Sequence, residues 1–172
     1  LKTFNCGNAG GSASDSLLRM DFDLLNNKPD KVFVFFGMND VDRYAYGDIE
    51  ITEEILERRR SALARYEESM EKIVRRLREA DVKEIVLLSP TPYEESAKME
   101  EENLRGVLGA LQHCAEFNER LAERYGCETV DLLNPMLAIN REMQKSDPTA
   151  SLAGPDRVHP TVVGQAGMAY LI

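Results

Sequence analysis

A chain of 172 residues suits a single domain with one substantial core, and 43% apolar against 30% charged residues is the balance of a globular protein. The net charge of −9 argues against a nucleic-acid backbone or an anionic membrane surface as partner, since both need a basic face, and the acidity reads first as a solubilising surface. No apolar run approaches the roughly 20 residues of a membrane span. Cys6, Cys114 and Cys127 form neither a CxxC pair nor a disulfide framework.

In chain order, Leu1-Lys2-Thr3-Phe4-Asn5 reads as a strand feeding the glycine-rich stretch Asn5–Ser14 and a helix around Asp15. Turn chemistry is the first reading of those glycines, and an anion cradle at the helix N-terminus the second, because the GxxxxGK[ST] phosphate loop is absent. Strand-forming residues Val32-Phe33-Val34-Phe35-Phe36 predict a central strand over about 31–36, buried on both faces and followed directly by Gly37-Met38-Asn39-Asp40. In open α/β sheets, ligands bind at the carboxyl ends of strands, where an asparagine can donate to a reacting oxygen.

From Thr52, a side chain suited to capping, the stripe Leu56, Leu63, Tyr66, Met70, Ile73, Val74 and Leu77 predicts a long amphipathic helix. A strand over 83–89 breaks at Ser89-Pro90-Thr91-Pro92. Leu104, Leu108, Leu111, Phe117 and Leu121 predict a helix up to Tyr125, with Cys114 inside it as a small buried hydrophobe, and a strand over 127–132 contains Cys127. Glu94, Glu95, Glu100, Glu101 and Glu102 read as a solvated surface, with a cation site as the alternative. Strands alternating with helices give parallel βαβ units and a three-layer α/β/α sandwich, whose strand-end loops share one edge.

Asp156-Arg157-Val158-His159-Pro160 lies between Pro155 and Thr161, in a predicted loop. An aspartate three residues before a histidine can fold back onto the imidazole Nδ1–H, which fixes the tautomer and frees Nε2 as a base. Taken alone, a DxxH is a surface histidine beside an Asx turn. His113, the other histidine, lies in a helical pattern, so metal binding is the weaker reading. With the asparagine block, the pair points to hydrolysis by a hydroxyl nucleophile.

These blocks, in this order, resemble those of the SGNH hydrolases, also called GDSL-type esterases. Asn5, Gly7 and Gly10 match the family's N-x-G-x-x-G block, Gly37–Asp40 its G-x-N-D, and Asp156–Pro160 its D-x-x-H-P. The tail resembles bacterial members that include carbohydrate O-acyl esterases. The resemblance spans essentially the whole chain, as one domain over 1–172 with a parallel, flavodoxin-like sheet. It implies a serine esterase that removes a small acyl group, such as acetyl, from a carbohydrate or similar ester, with no metal or organic cofactor. His159 would be the general base, Asp156 its orienting acid, and the Gly10 amide and Asn39 side chain oxyanion-hole donors.

The family's Gly-Asp-Ser block is missing from residues 1–172. The family's first strand, an interior one, is unmatched too, so the expectation is a native protein that begins earlier, with both ends of this chain cut. A lysophospholipase or thioesterase of the same family, a catalytically inactive binding module of the same fold, and a flavodoxin-like nucleotide or receiver domain are the alternatives. Oligomeric state and compartment stay open.

Overall fold

The computed structural model describes residues 2–172. Its described helices are α1 (Ala13–Asp23), α2 (Glu53–Glu79), α3 (Val107–Tyr125), α4 (Leu133–Met143) and α5 (Val162–Leu171), and its strands β1 (Lys31–Phe35), β2 (Glu84–Leu88) and β3 (Glu128–Val130). The strands form one parallel sheet in the order β1-β2-β3, with Val34 opposite Leu87 and Leu88 opposite Val130. One face, carrying Val32, Val34, Ile85 and Leu87, joins a core built with α1, α2 and α3. The other, carrying Val86 and Leu88, packs on Leu132, Met136 and Leu152, with Met168 and Leu171 of α5 against them. This is the expected α/β/α layering.

Local signals explain the elements. The Thr52 hydroxyl accepts the Ile55 amide and starts α2, whose buried stripe includes Tyr66, Met70, Ile73, Val74 and Leu77. Gly126, in the left-handed region, ends α3. That helix begins at Val107 rather than Leu104, because a Glu95 carboxylate oxygen accepts the Gly106 and Leu108 amides at its first turn.

Two sequence expectations are corrected. Lys2–Asn5 forms no strand and is exposed, while Leu1 lies outside the described residues. A strand needs a ladder partner, and among the described residues β1 pairs with β2 alone. Nor is β1 buried on both faces: Val32 and Val34 are buried, whereas Phe33 and Phe35 keep 51% and 42% of their surface exposed. The helices of that layer sit over β2, and no described segment covers β1 there.

A buried polar relay ties the helices to the functional edge of the sheet. Tyr66 Oη donates to Asn118 Oδ1 at 2.8 Å, and Asn118 Nδ2 donates to the Leu88 carbonyl at 3.0 Å, at the carboxyl end of β2. The Tyr66 ring meets Phe117 edge to face, centroids 6.2 Å apart.

Candidate active site

At the end of β1 the chain turns at Gly37, whose φ of 134° belongs to the left-handed half of conformational space, and a Cβ there would lie 2.9 Å from Pro90 Cβ. Both facts demand glycine. The turn is held by Asp40, a buried side chain that sequence reasoning left without a role. Its Oδ1 accepts the Ala13 amide at 2.8 Å and its Oδ2 the Gly37 amide at 2.9 Å. Burial raises the Asp40 carboxyl above the usual aspartate range, and the two amide bonds oppose that shift. One carboxylate thus joins the glycine block to the β1 turn.

Asn39 is exposed beside it. Its Nδ2 donates to the Gly11 carbonyl at 3.3 Å, and its Oδ1 accepts from Arg43 Nη1 at 3.3 Å, a nitrogen that also donates to the Met38 carbonyl at 2.9 Å. The start of α1 is closed by a capping box: Ser12 Oγ accepts the Asp15 amide, and the Asp15 carboxylate accepts the Ser12 amide. With the Ala13 amide bonded to Asp40, these donors have internal partners, which favours the turn reading over a phosphate cradle. Gly10 is exposed, and no described residue accepts its N–H.

The Asp156–His159 segment is the tip of a closed loop. Ala153 and Pro160 form an antiparallel bridge, with Gly154 N bonded to the His159 carbonyl and Thr161 N to the Leu152 carbonyl, each at 2.8 Å. The Thr161 hydroxyl caps α5 through the Gly164 amide. A Cβ on Gly164 would lie 2.2 Å from the Leu152 carbonyl oxygen, so α5 seats against the loop only because that residue is glycine.

Within the loop, Asp156 Oδ1 accepts the Val158 and His159 amides at 3.1 and 3.0 Å, while Oδ2 pairs with His159 Nδ1. Burial would raise the Asp156 carboxyl, but the His159 side chain and the two amides outweigh it and hold it below the usual range. The imidazole side chain is 83% exposed, and no described residue hydrogen-bonds its Nε2.

The structure therefore brings together Asp156 with His159, and Asn39 with the Gly10–Gly11 turn. The first is tied through Arg157 to the loop that follows β2 and the second directly follows β1, without a direct hydrogen bond between them. No described hydroxyl contacts His159: Ser12 and Ser14 bond each other, and the buried Ser89 Oγ accepts the Leu132 and Leu133 amides. His113 lies on α3 against Glu67.

The glutamate run is also corrected. Glu94 is 2% exposed, and its carboxylate accepts from Ser96, Ala97, Asn140, Gln144 and Ser151. Burial raises its carboxyl, but these donors prevail and hold it below the ordinary range. Glu95 caps α3, so only Glu100, Glu101 and Glu102 remain as a solvated acidic surface.

No curated protein matches this sequence. Among solved structures, a gut microbial diltiazem-metabolizing enzyme is 32% identical, with a TM-score of 0.89 over 98% of this chain and 37% of its own. The chain therefore spans little more than a third of that protein. The acetyl xylan esterase AlAXEase is 24% identical with a TM-score of 0.72, over 96% of this chain and 78% of its own. A lipase/acylhydrolase from Enterococcus faecalis is 21% identical with a TM-score of 0.64, over 94% and 68%. The last two likenesses show the fold. The model of the GDSL-like lipase/acylhydrolase family matches residues 2–166, and the chain belongs to that family.

Proposed function

We propose that this chain supplies the base, the orienting acid and two oxyanion donors of a serine esterase acting on a small acyl ester of a carbohydrate, the serine lying outside residues 1–172. The observation that carries the reading is the Asp156–His159 pair, tied through Arg157 to the loop that follows β2, with Nδ1 engaged and Nε2 free. Such a pair accepts a hydroxyl proton at Nε2 while the carboxylate stabilises the resulting imidazolium.

In the first half-reaction, the serine oxygen attacks the ester carbonyl and His159 Nε2 takes its proton. The carbonyl oxygen becomes an anion, which accepts the Gly10 N–H and an Asn39 N–H. The Asn39 bond to the Gly11 carbonyl is long, at 3.3 Å, and is easily exchanged for an anion. Collapse of the intermediate expels the alcohol, protonated by His159, and water then hydrolyses the acyl-enzyme by the same steps. The net charge of −9 and the exposed Glu100–Glu102 run disfavour an anionic lipid or other anionic ester as substrate. The likeness to an acetyl xylan esterase agrees with an acetylated sugar.

The test is hydrolysis of an aryl acetate and of acetylated xylo-oligosaccharides by the natural full-length protein. His159→Ala should abolish turnover, and Asn39→Ala should lower kcat by about 10²–10³ with KM little changed. Turnover unaffected by His159→Ala would overturn the proposal. A folded wild type that binds these esters without turnover would identify a binding module of the same fold.

A further inference from the structure

We propose that Arg157, inside the Asp156–His159 turn, is a positioning residue that bolts this turn to the loop after β2 through a buried guanidinium. The inference rests on the reading of Asp156 and His159 above. Arg157 is 3% exposed. Its Nη1 donates to the carbonyls of Glu94 and Ala97 at 3.0 and 3.2 Å, its Nη2 to those of Met99 and Glu101 at 3.3 and 3.0 Å, and its Nε to that of Glu101 at 3.2 Å. In return, the Arg157 carbonyl accepts the Glu94 amide at 3.0 Å. All of its described side-chain partners are backbone carbonyls. A planar fork of donors gathers four carbonyls at once, which the compact ammonium of a lysine does not.

The backbone of Arg157 explains why such a clamp bears on the site. Its φ of 64° is left-handed, a conformation disfavoured for residues with a Cβ. That turn brings Asp156 Oδ1 back onto the Val158 and His159 amides and so sets where Oδ2 meets the imidazole. The five guanidinium bonds offset the strain. The far end of the clamp is itself fixed, because the buried Glu94 carboxylate is held by Asn140 and Gln144 of the α4 region. With the guanidinium removed, its five bonds to the loop after β2 are lost and the turn is no longer held in one place, so the ring drifts and Nδ1 loses its constant partner.

The natural full-length protein, Arg157→Gly and Arg157→Lys should be compared by kcat and KM on an aryl acetate, and by the imidazole ¹⁵N shifts of His159, which report its tautomer. Glycine adopts the positive φ without strain, so Arg157→Gly isolates the guanidinium. Its kcat should fall about 10²-fold, the scale of a displacement near 1 Å, with KM within twofold. The His159 shifts should move from one Nδ1–H tautomer to a mixture. Ethylguanidinium added to Arg157→Gly should restore both readouts in part, which repair of general stability would not do selectively. Arg157→Lys should fall between the two.

An Arg157→Gly protein with wild-type kcat and an unmixed tautomer would overturn the inference, as would losses that ethylguanidinium leaves untouched. Should Arg157→Gly fail to melt cooperatively, Arg157→Lys decides: wild-type kcat and tautomer in that variant refute the clamp. If His159→Ala proves fully active, the esterase reading fails by itself. The tautomer measurement still judges the clamp, a mixture in Arg157→Gly supporting it and an unmixed tautomer refuting it.

Discussion

Replacing Asp156 by asparagine separates two ways in which this carboxylate can help a base. Oδ1 accepts two backbone amides, and Oδ2 faces His159 Nδ1. Asparagine keeps an acceptor at the first position and puts an NH₂ at the second, so donor meets donor across Nδ1–H. The imidazole escapes by moving its proton to Nε2, which disables the base. The field of the lost charge is the lesser effect. With His159 83% and Asp156 51% exposed, water screens the pair, and a unit charge pair near 4 Å in water is worth about 1 kcal/mol, less than tenfold in rate. The wrong tautomer costs up to about 10⁴ in kcat.

The assay is kcat and KM on an aryl acetate for the full-length wild type, Asp156→Asn, His159→Ala and the double variant, with circular dichroism to confirm the fold. Asp156→Asn should lose far more than tenfold, and the double variant should be no slower than the worse single, because the two residues act as one unit. An Asp156→Asn rate within tenfold of wild type would refute the tautomer argument and show that another group orients the ring. Since the Asp156 carboxyl is held below its usual range, its charge persists as pH falls through the ordinary aspartate range and is lost only below it. Protonation of Asp156 should therefore contribute no loss of kcat/KM above the ordinary aspartate range, and a loss there that Asp156→Asn removes would refute this.

Two further expectations concern the frame around the site. Glu94→Gln keeps the acceptor for Ser96 and Ala97 but sets an amide NH₂ against the Asn140 and Gln144 donors, and should cost about 1–3 kcal/mol in urea unfolding at neutral pH. Because the folded Glu94 carboxyl is depressed, its stabilisation is complete above the ordinary glutamate range and is lost as pH falls through the folded value, so the difference between variant and wild type should shrink in acid; equal stability at neutral pH would refute the strut. Gly164→Ala would gain about 1 kcal/mol from helix propensity alone, but its Cβ would lie 2.2 Å from the Leu152 carbonyl oxygen, so Tm should fall. A raised Tm would show that α5 does not seat closely on the Asp156–His159 loop.

What could be read along the chain was whatever is encoded over a few residues. The periodicity of α2, its Thr52 cap, the apolar runs of β1 and β2 and the loop between Pro155 and Thr161 are consequences of nearest neighbours along the backbone, and the structure keeps them to within a residue or two. The Asp156–His159 contact was legible for the same reason, since the two residues are three apart in one turn.

Tertiary structure decided everything that depends on what lies across a gap in sequence. Phe33 and Phe35 match Val32 and Val34 in hydrophobicity, yet one pair is half-exposed and the other buried, because burial is set by which layer covers each face. Asp40 looked like the tail of a motif, and its work, joining the Ala13 and Gly37 amides, needs a partner 27 residues away. Glu94 and Arg157 carry the side chains most often found in solvent, and they are buried because carbonyls, amides and side-chain donors distant in sequence converge on them. A charge enters a protein interior only where its hydrogen bonds are replaced one for one, and the chain order of residues does not report where that replacement has been assembled.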